Sequence, residues 1–467
     1  MPVAEAPQRI EDKTIQPIPP NERHGRTRDL FSLWFGSNIM LLTVVTGALA
    51  TSVYGLPFWL SVIAIVIGNL IGAVFMALHS AQGPRLGVPQ MVQTRGQFGS
   101  YGSLLVIVIV VVMYVGFFAS NLVLAGQSLN VLTSGISVDA GILIVGAVSV
   151  VVTIFGYDLI HAYARLMTYL AGAALLLTFI WIVGVHGVGH GFGSFGHASV
   201  AGFIGTVTVA ALWQIAYAPY VSDYSRYMPA DTGAKPAFWA SYWGCSLGSI
   251  LPMILGALIG VNTGDMVSGL HTETGAVASL VIIIFTVTIA MTNSMNIYGG
   301  ALSMIAIGQT FKPAWLPRAA TRATATIVIY IAAVVPAIVS QNNFLVSYSN
   351  FILLLMYVLV PWTAINLIDF YLVRHGNYDV SQFYRGDGGS YGRFDWISIG
   401  CYLIGIAIEV PFVNTTMFEG PIARQLNGVD ISWIICLIVI SPLYYLAAKR
   451  LRPAAAAAAE PATAAAR

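Results

Sequence analysis

Residues 213–229 read WQIAYAPYVSDYSRYMP and close a run of apolar and small residues. A glutamine, four tyrosines and two prolines at such a place mean different things in different solvents. In water the stretch is buried or forms a turn; in a bilayer it is a broken helix. Composition decides between them. The 467 residues are 57% hydrophobic and only 9% charged, whereas soluble domains carry about 25% charged residues. So few charges cannot cover a water-facing surface, and the bilayer is the solvent. Pro219 lacks an N–H and interrupts the helix ladder around residues 216–219. Within a membrane such a break is tolerated where the freed groups face protein, a ligand or a water-filled cavity. Many secondary transporters expose backbone to substrate and ion in this way. A simple kink is the plainer alternative.

Outward from this stretch, twelve apolar blocks can be drawn, each long enough for the about 20 helical residues that cross the hydrocarbon core. They are 31–55, 58–81, 103–133, 139–157, 166–186, 199–226, 236–261, 275–308, 323–341, 344–373, 396–416 and 430–448. With the N-terminus in the cytoplasm, all but one (Arg424) of the 21 Lys and Arg fall in segments on that side. This is the asymmetry of the positive-inside rule, and a miscounted middle span would scramble it. The expectation is an all-α integral membrane protein of about 12 transmembrane helices, multi-pass in the inner or plasma membrane, with both termini cytoplasmic. The polar segment 1–29 and the low-complexity tail 452–467 read as unstructured, and 375–395 as a cytoplasmic loop.

Polar side chains are costly at mid-depth, so their positions inform. Span 1 carries Ser37, Asn38, Thr43 and Thr46 around its middle. Span 3 carries Phe117 and Asn121, four apart on one helix face. Span 6 carries Trp213, Gln214 and Tyr217. Span 8 carries Asn293 and Asn296 on one face and Thr288 and Thr292 on another. Any one of these serves equally well as interhelical glue worth about 1 kcal/mol. Four groups at matching depth, two of them pairing aromatics with amides, favour a shared polar pocket. Flat rings with donors and acceptors at fixed spacing suit a small planar nitrogen heterocycle. Asp223 and Arg226, at the end of span 6, read as a surface ion pair or anchor.

Cys245, Cys401 and Cys436 lie in apolar blocks and read as small packing residues. His186, His190 and His197 sit among glycines without a carboxylate or cysteine, which favours a loop over a metal site. Glu409 is the carboxylate well inside a span, with packing or an outer cavity as its expected role. No nucleophile–base pair or ligand set stands at depth, so an enzyme is not expected. A channel would need a continuous lined pore. The expected partners are the lipid bilayer, a small-molecule substrate and a coupling cation (H+ or Na+), with no cofactor and no nucleic acid.

Three stretches carry a resemblance. PIPPNERHGRTRDLFSLWFGSNI (17–39), YAPYVSDYSRYMP (217–229) and VPWTAINLIDFYLVRHGNYD (360–379) resemble, in order, the entry to span 1, span 6 with its exit, and the end of span 10 in nucleobase–cation symporter family 1, the purine/cytosine permeases. The resemblance implies a LeuT-type ten-helix transport core over 30–374, made of inverted repeats at about 30–188 and 199–374, with two accessory helices in 396–451. It implies a symporter working by alternating access, with cytosine or a purine such as adenine, guanine or hypoxanthine held between spans 1, 3, 6 and 8. Phe117 and Asn121 match the span-3 pattern, with Phe117 where many relatives carry Trp. The span-6 aromatic maps to Trp213 or Tyr217, with Gln214 in the same window. The span-8 amide maps to Asn296 or Asn293, and Asn38 stands on span 1. The implied arrangement stacks a ring between Phe117 and a span-6 aromatic, its edge read by Asn121 and Asn296. Sodium-coupled relatives add two span-8 hydroxyls to carbonyls at the span-1 break. Here Thr292 supplies one, Met291 beside it none, and Thr288 lies one turn away. SDYSRY looks closer to the proton-coupled fungal branch, so proton symport is expected ahead of sodium. Allantoin, a hydantoin or a vitamin precursor as cargo, and a binding-only sensor on the same fold, are the alternatives.

Overall fold

The computed structural model describes residues 14–155, 157–186, 199–231, 233–262 and 266–451. The glycine- and histidine-bearing stretch 187–198 and the tail 452–467 lie outside the described residues. Each of the twelve apolar blocks is helical. Span 1 is two helices, Thr27–Asn38 and Leu41–Ser52, bent by 58° across Ile39–Met40. Spans 2 to 5 are Phe58–Ser80, Ser103–Leu132, Val138–Phe155 and Tyr157–Trp181. Span 6 is Val200–Ile215, an irregular turn, and Val221–Ser225. Spans 7 to 9 are Ala234–Gly260, Ala278–Phe311 and Ala319–Ser340. Spans 10 to 12 are Phe344–Ile368, Trp396–Glu409 and Ser432–Leu451. Spans 1 and 6, each first in a set of five, are the broken ones, as two repeats of one plan require.

Local chemistry explains both breaks. Asn38 turns its side-chain amide back onto the Trp34 carbonyl (2.7 Å), and the Ser37 hydroxyl reaches the same oxygen (3.2 Å). Side-chain bonds of this kind compete with the backbone ladder. Met40 then runs extended, with φ −148° and ψ 166°, before the second helix starts. In span 6 the ladder tightens first, with Tyr217 N–H bonding Gln214 O at 3.1 Å and Ala218 N–H bonding Ile215 O at 2.9 Å. Pro219 can donate nothing, and Tyr220 breaks the helical geometry with φ −137° and ψ 4°.

Span 7 is the backbone against which span 1 lies. Gly244, Gly248 and Gly256 face it so closely that a Cβ at each would come within 3.0 Å of the carbonyl oxygen of Phe31, Phe35 and Val44 respectively. Gly47 of span 1 meets the Met253 backbone in the same way. Lipid offers no hydrophobic drive for helix pairing, so this close van der Waals approach holds the two spans together. The outer faces carry exposed Ile63, Val112, Val151 and Val335, which suits contact with acyl chains.

The described part of the N-terminal segment is not loose, contrary to the sequence reading. Thr14, Ile15 and Ile18 are buried. Ile18 N–H bonds Gly87 O (2.9 Å), Gly25 N–H bonds Tyr227 O (2.8 Å), the Tyr384 hydroxyl donates to Ile15 O (2.6 Å), and Arg23 reaches Pro84 O. Residues 14–26 thus form a strap across one face of the bundle. Asp223 and Arg226 are likewise corrected. They are 2% and 0% exposed rather than a surface pair. Arg226 donates to Thr14 O (3.0 Å), and Asp223 accepts from Gln90 N–H (2.9 Å). Backbone carbonyls supply most of these bonds, and hydrophobic patterning carries no trace of them.

Candidate functional site

The two breaks face one pocket. Its walls are Met40, Phe117, Asn121, Trp213, Ala216, Tyr217, Tyr220, Thr292 and Asn296, enclosing about 250 Å³ of space between atoms. Only about 10 Å³ of it is open to a water-sized body, far below the roughly 300–1,000 Å³ of drug-sized sites, so the walls are closed in on one another and a ligand needs them to move apart. Six sequence-chosen residues therefore meet on the wall: Phe117, Asn121, Trp213, Tyr217, Thr292 and Asn296. The other four do not. Asn38, Gln214, Asn293 and Thr288 are buried beside the pocket and line none of it.

Asn38 and Gln214 face away for a definite reason. Asn38 accepts from Trp213 Nε1 (2.8 Å) and Ser249 Oγ (2.9 Å) and donates towards Cys245 Sγ (3.4 Å). Gln214 donates to Asn69 Oδ1 (2.7 Å) and Ser249 Oγ (3.1 Å). Together they form a buried polar hub joining spans 1, 2, 6 and 7. It ties one break to the other and fixes the Trp213 ring at the pocket wall. Cys245 belongs to that hub, which is more than the packing role expected of it. Thr288 bonds Ile284 O on its own helix (2.8 Å). Asn293 is fully buried with both amide atoms unpartnered among the described residues.

The rings of the wall stand edge to face. Phe117 and Trp213 are 6.1 Å apart at 87°, and Trp213 and Tyr217 are 5.9 Å apart at 78°. A ring sandwiched between parallel faces needs a gap of roughly 7 Å, twice the contact distance of carbon atoms. Phe117 and the span-6 aromatics thus form a corner rather than a parallel-faced slot in this closed arrangement.

Asn121 is the most informative wall residue. It is fully buried, and neither its Oδ1 nor its Nδ2 has a hydrogen-bond partner among the described residues. A buried amide left unmade costs about 1–3 kcal/mol, and it lies on the pocket wall together with Asn296. Thr292 donates to Ser37 O (2.8 Å), a carbonyl set free by the span-1 break. Met40, Ala216 and Tyr220 are the wall residues that sequence reasoning missed. The irregular backbone of the breaks has no period, so no face could be assigned there.

Both ways out are closed. Towards the strap, Trp34 packs on Tyr217, Tyr220 and Tyr224 at 5.5, 6.0 and 5.8 Å. On the opposite side the Thr46 and Tyr348 hydroxyls share a hydrogen bond of 2.7 Å between spans 1 and 10. Beyond that pair lies a cavity of about 160 Å³ lined by Val45, Leu124, Gln127, Met266, Gln341 and Phe344, among others. Glu409 takes no part in either. It is fully buried in span 11 near Cys436, with neither carboxyl oxygen in hydrogen-bond geometry among the described residues.

Comparison with known proteins agrees with this architecture. A family model described as permease for cytosine/purines, uracil, thiamine, allantoin matches residues 17–436. A putative purine–cytosine permease of Bacillus subtilis is 39% identical over 448 residues, covering 94% of this chain and 96% of that protein. A purine–cytosine permease of Emericella nidulans is 24% identical over 450 residues, covering 91% of this chain and 85% of that protein. Among solved structures, Mhp1, a nucleobase–cation-symport-1 family transporter caught closed with bromovinylhydantoin bound, superposes with a TM-score of 0.76 at 20% identity. The match covers 94% of this chain and 95% of that one, and it shows the fold.

Proposed function

This chain belongs to the family of permeases for cytosine/purines, uracil, thiamine and allantoin, and from that premise we propose that it imports a nucleobase, cytosine or a purine such as adenine, guanine or hypoxanthine, together with a proton. It is a membrane transporter and not an enzyme. The observation that carries the substrate reading is the orphaned amide of Asn121 on a wall of rings. A base edge offers an acceptor beside a donor, which is what an amide matches in pairs. A ligand that satisfies both atoms gains what the empty protein forgoes.

The proton reading rests on the donor set. A bound sodium of the kind the resemblance implies needs a hydroxyl pair on span 8. Thr292 offers one hydroxyl oxygen beside Ser37 O, Met291 has none, and Thr288 is turned onto its own helix, so the second hydroxyl of the pair is missing. The strap face is the cytoplasmic one in this reading, since Arg23, Arg85, Arg95, Arg226, Arg374 and Arg385 belong to segments on that side. Alternating access then opens the two closed sides in turn.

Uptake of labelled cytosine and hypoxanthine into proteoliposomes tests both parts, with proton and sodium gradients imposed separately and unlabelled uracil, allantoin and hydantoin as competitors. Accumulation against a gradient driven by protons alone is the expected result, and Thr292→Ala should leave it indifferent to sodium. Sodium-driven uptake that Thr292→Ala abolishes would overturn the proton assignment. Binding of either base without uphill uptake would point to a sensor. Competition by allantoin or hydantoin alone would move the cargo to those rings.

A further inference from the structure

Two walls of the pocket are pinned from behind by hydrogen bonds: Trp213 through its indole N–H to Asn38 and Ser249, and Thr292 through its hydroxyl to Ser37 O. Tyr220, like its neighbour Tyr217, is held otherwise. Tyr220 lines the pocket and is 3% exposed, yet its hydroxyl has no hydrogen-bond partner among the described residues. Ring contacts alone hold it, to Tyr114 (5.2 Å, 61°), Tyr217 (5.4 Å, 54°) and Trp34 (6.0 Å, 54°). Trp34 belongs to the strap-side half of span 1, so Tyr220 stands between the pocket and the strap face. It is also the residue that opens the second helix of span 6. It is therefore at once a wall of the cavity and a part of the element that follows the break.

We propose that Tyr220 is the floor of the pocket and the residue that sets which heterocycle is carried, its ring limiting the size of the cargo and its free hydroxyl meeting the cargo's edge. This rests on the site reading given above. A pinned wall fixes shape but cannot yield. A floor held by ring edges can shift by small steps, and the space above it decides whether a single ring or a fused pair fits. Discrimination by fit in an apolar pocket is about 10–200-fold for one methylene, and the second ring of a purine is larger than that. Because the floor rides on the second half of span 6, it closes only under a cargo that leaves it room. It would leave the pocket when that half swings aside. Selection and release then pass through one side chain.

The test is competition binding on purified full-length protein, with cytosine and hypoxanthine measured on wild type, Tyr220→Ala, Tyr220→Leu and Tyr220→Phe. The ratio of the two inhibition constants should move towards the bicyclic base by at least tenfold in Tyr220→Ala and by less in Tyr220→Leu. In Tyr220→Phe the size order should persist while the ligand that bonds the hydroxyl weakens severalfold. Tyr220→Leu keeps an apolar floor, so it answers the question should the alanine variant fail to fold. If wild type binds the bases and the ratio stays put in both Tyr220→Ala and Tyr220→Leu, the floor assignment is wrong and the site stands. If wild type binds neither base, the site reading falls and this assignment falls with it.

Discussion

Gly256→Ala should yield little or no folded transporter. The new Cβ would overlap the carbonyl oxygen of Val44, and the atoms it meets are backbone on a neighbouring helix, with no side chain free to rotate away. Overpacking of a tight interior costs about 1–3 kcal/mol and occasionally more. Here the only relief is to push span 1 off span 7, which also strains the hub at Asn38, so the upper end or beyond is expected. The measurement is the recovery of monodisperse protein in detergent and its thermal midpoint. Gly400→Ala is the matched control, since Gly400 sits inside span 11 with nothing within 4 Å of an added Cβ. That substitution should be neutral, or stabilising by about 0.5–1 kcal/mol through the helix propensity of alanine. Equal recovery of both variants would mean that spans 1 and 7 do not touch backbone to backbone.

Asn121→Ala should weaken nucleobase binding by roughly thirtyfold, or about 2 kcal/mol, and at the same time stabilise the empty protein. The two effects have one cause. In the empty pocket both amide atoms are buried and unmatched, so deleting them removes a penalty of about 1 kcal/mol or more. With the ligand present, the same deletion removes the group that pairs with it. Glue between helices would behave oppositely, and Asn38 supplies the contrast. Asn38→Ala strips the acceptor from Trp213 Nε1 and Ser249 Oγ, so it should cost about 2–3 kcal/mol of stability. Midpoints of thermal unfolding without ligand, set beside affinities, separate the two asparagines. Unchanged affinity in Asn121→Ala would remove it from the site.

Much of this architecture can be read from the chain because hydrocarbon enforces simple rules. Twelve blocks stand out since every backbone polar group must be paired within a helix. The break at span 6 is marked by Pro219, whose missing N–H is a local fact. The break at span 1 is marked only by Asn38 and its neighbours, and its cause, the Asn38 amide turned onto Trp34 O, is also local. Depth alone brought Phe117, Asn121, Trp213, Tyr217, Thr292 and Asn296 to the pocket wall. Depth cannot give direction. Asn38 and Gln214 lie at the same level but turn to Cys245, Ser249 and Asn69, which are far away in sequence. Tyr220 was hidden for another reason. It is one of four tyrosines in the quoted stretch, and helical spacing fails once the helix has stopped. The strap was missed because its bonds run from arginines and a tyrosine to main-chain oxygens, which every sequence possesses alike.

The strap of residues 14–26 is tied at once to the end of span 6 through Arg226 and Tyr227, to the link after span 2 through Gly87 and Pro84, and to the segment after span 10 through Tyr384. Any passage through that face has to loosen some of these ties, whether the pocket is full or empty and whichever base fills it. On the reading proposed above, they would raise loaded and unloaded crossings by the same height. A height common to all cargoes governs tempo and leaves preference untouched: the strap would act on the maximal rate of the cycle, while the ratio between competing bases would be decided among the rings.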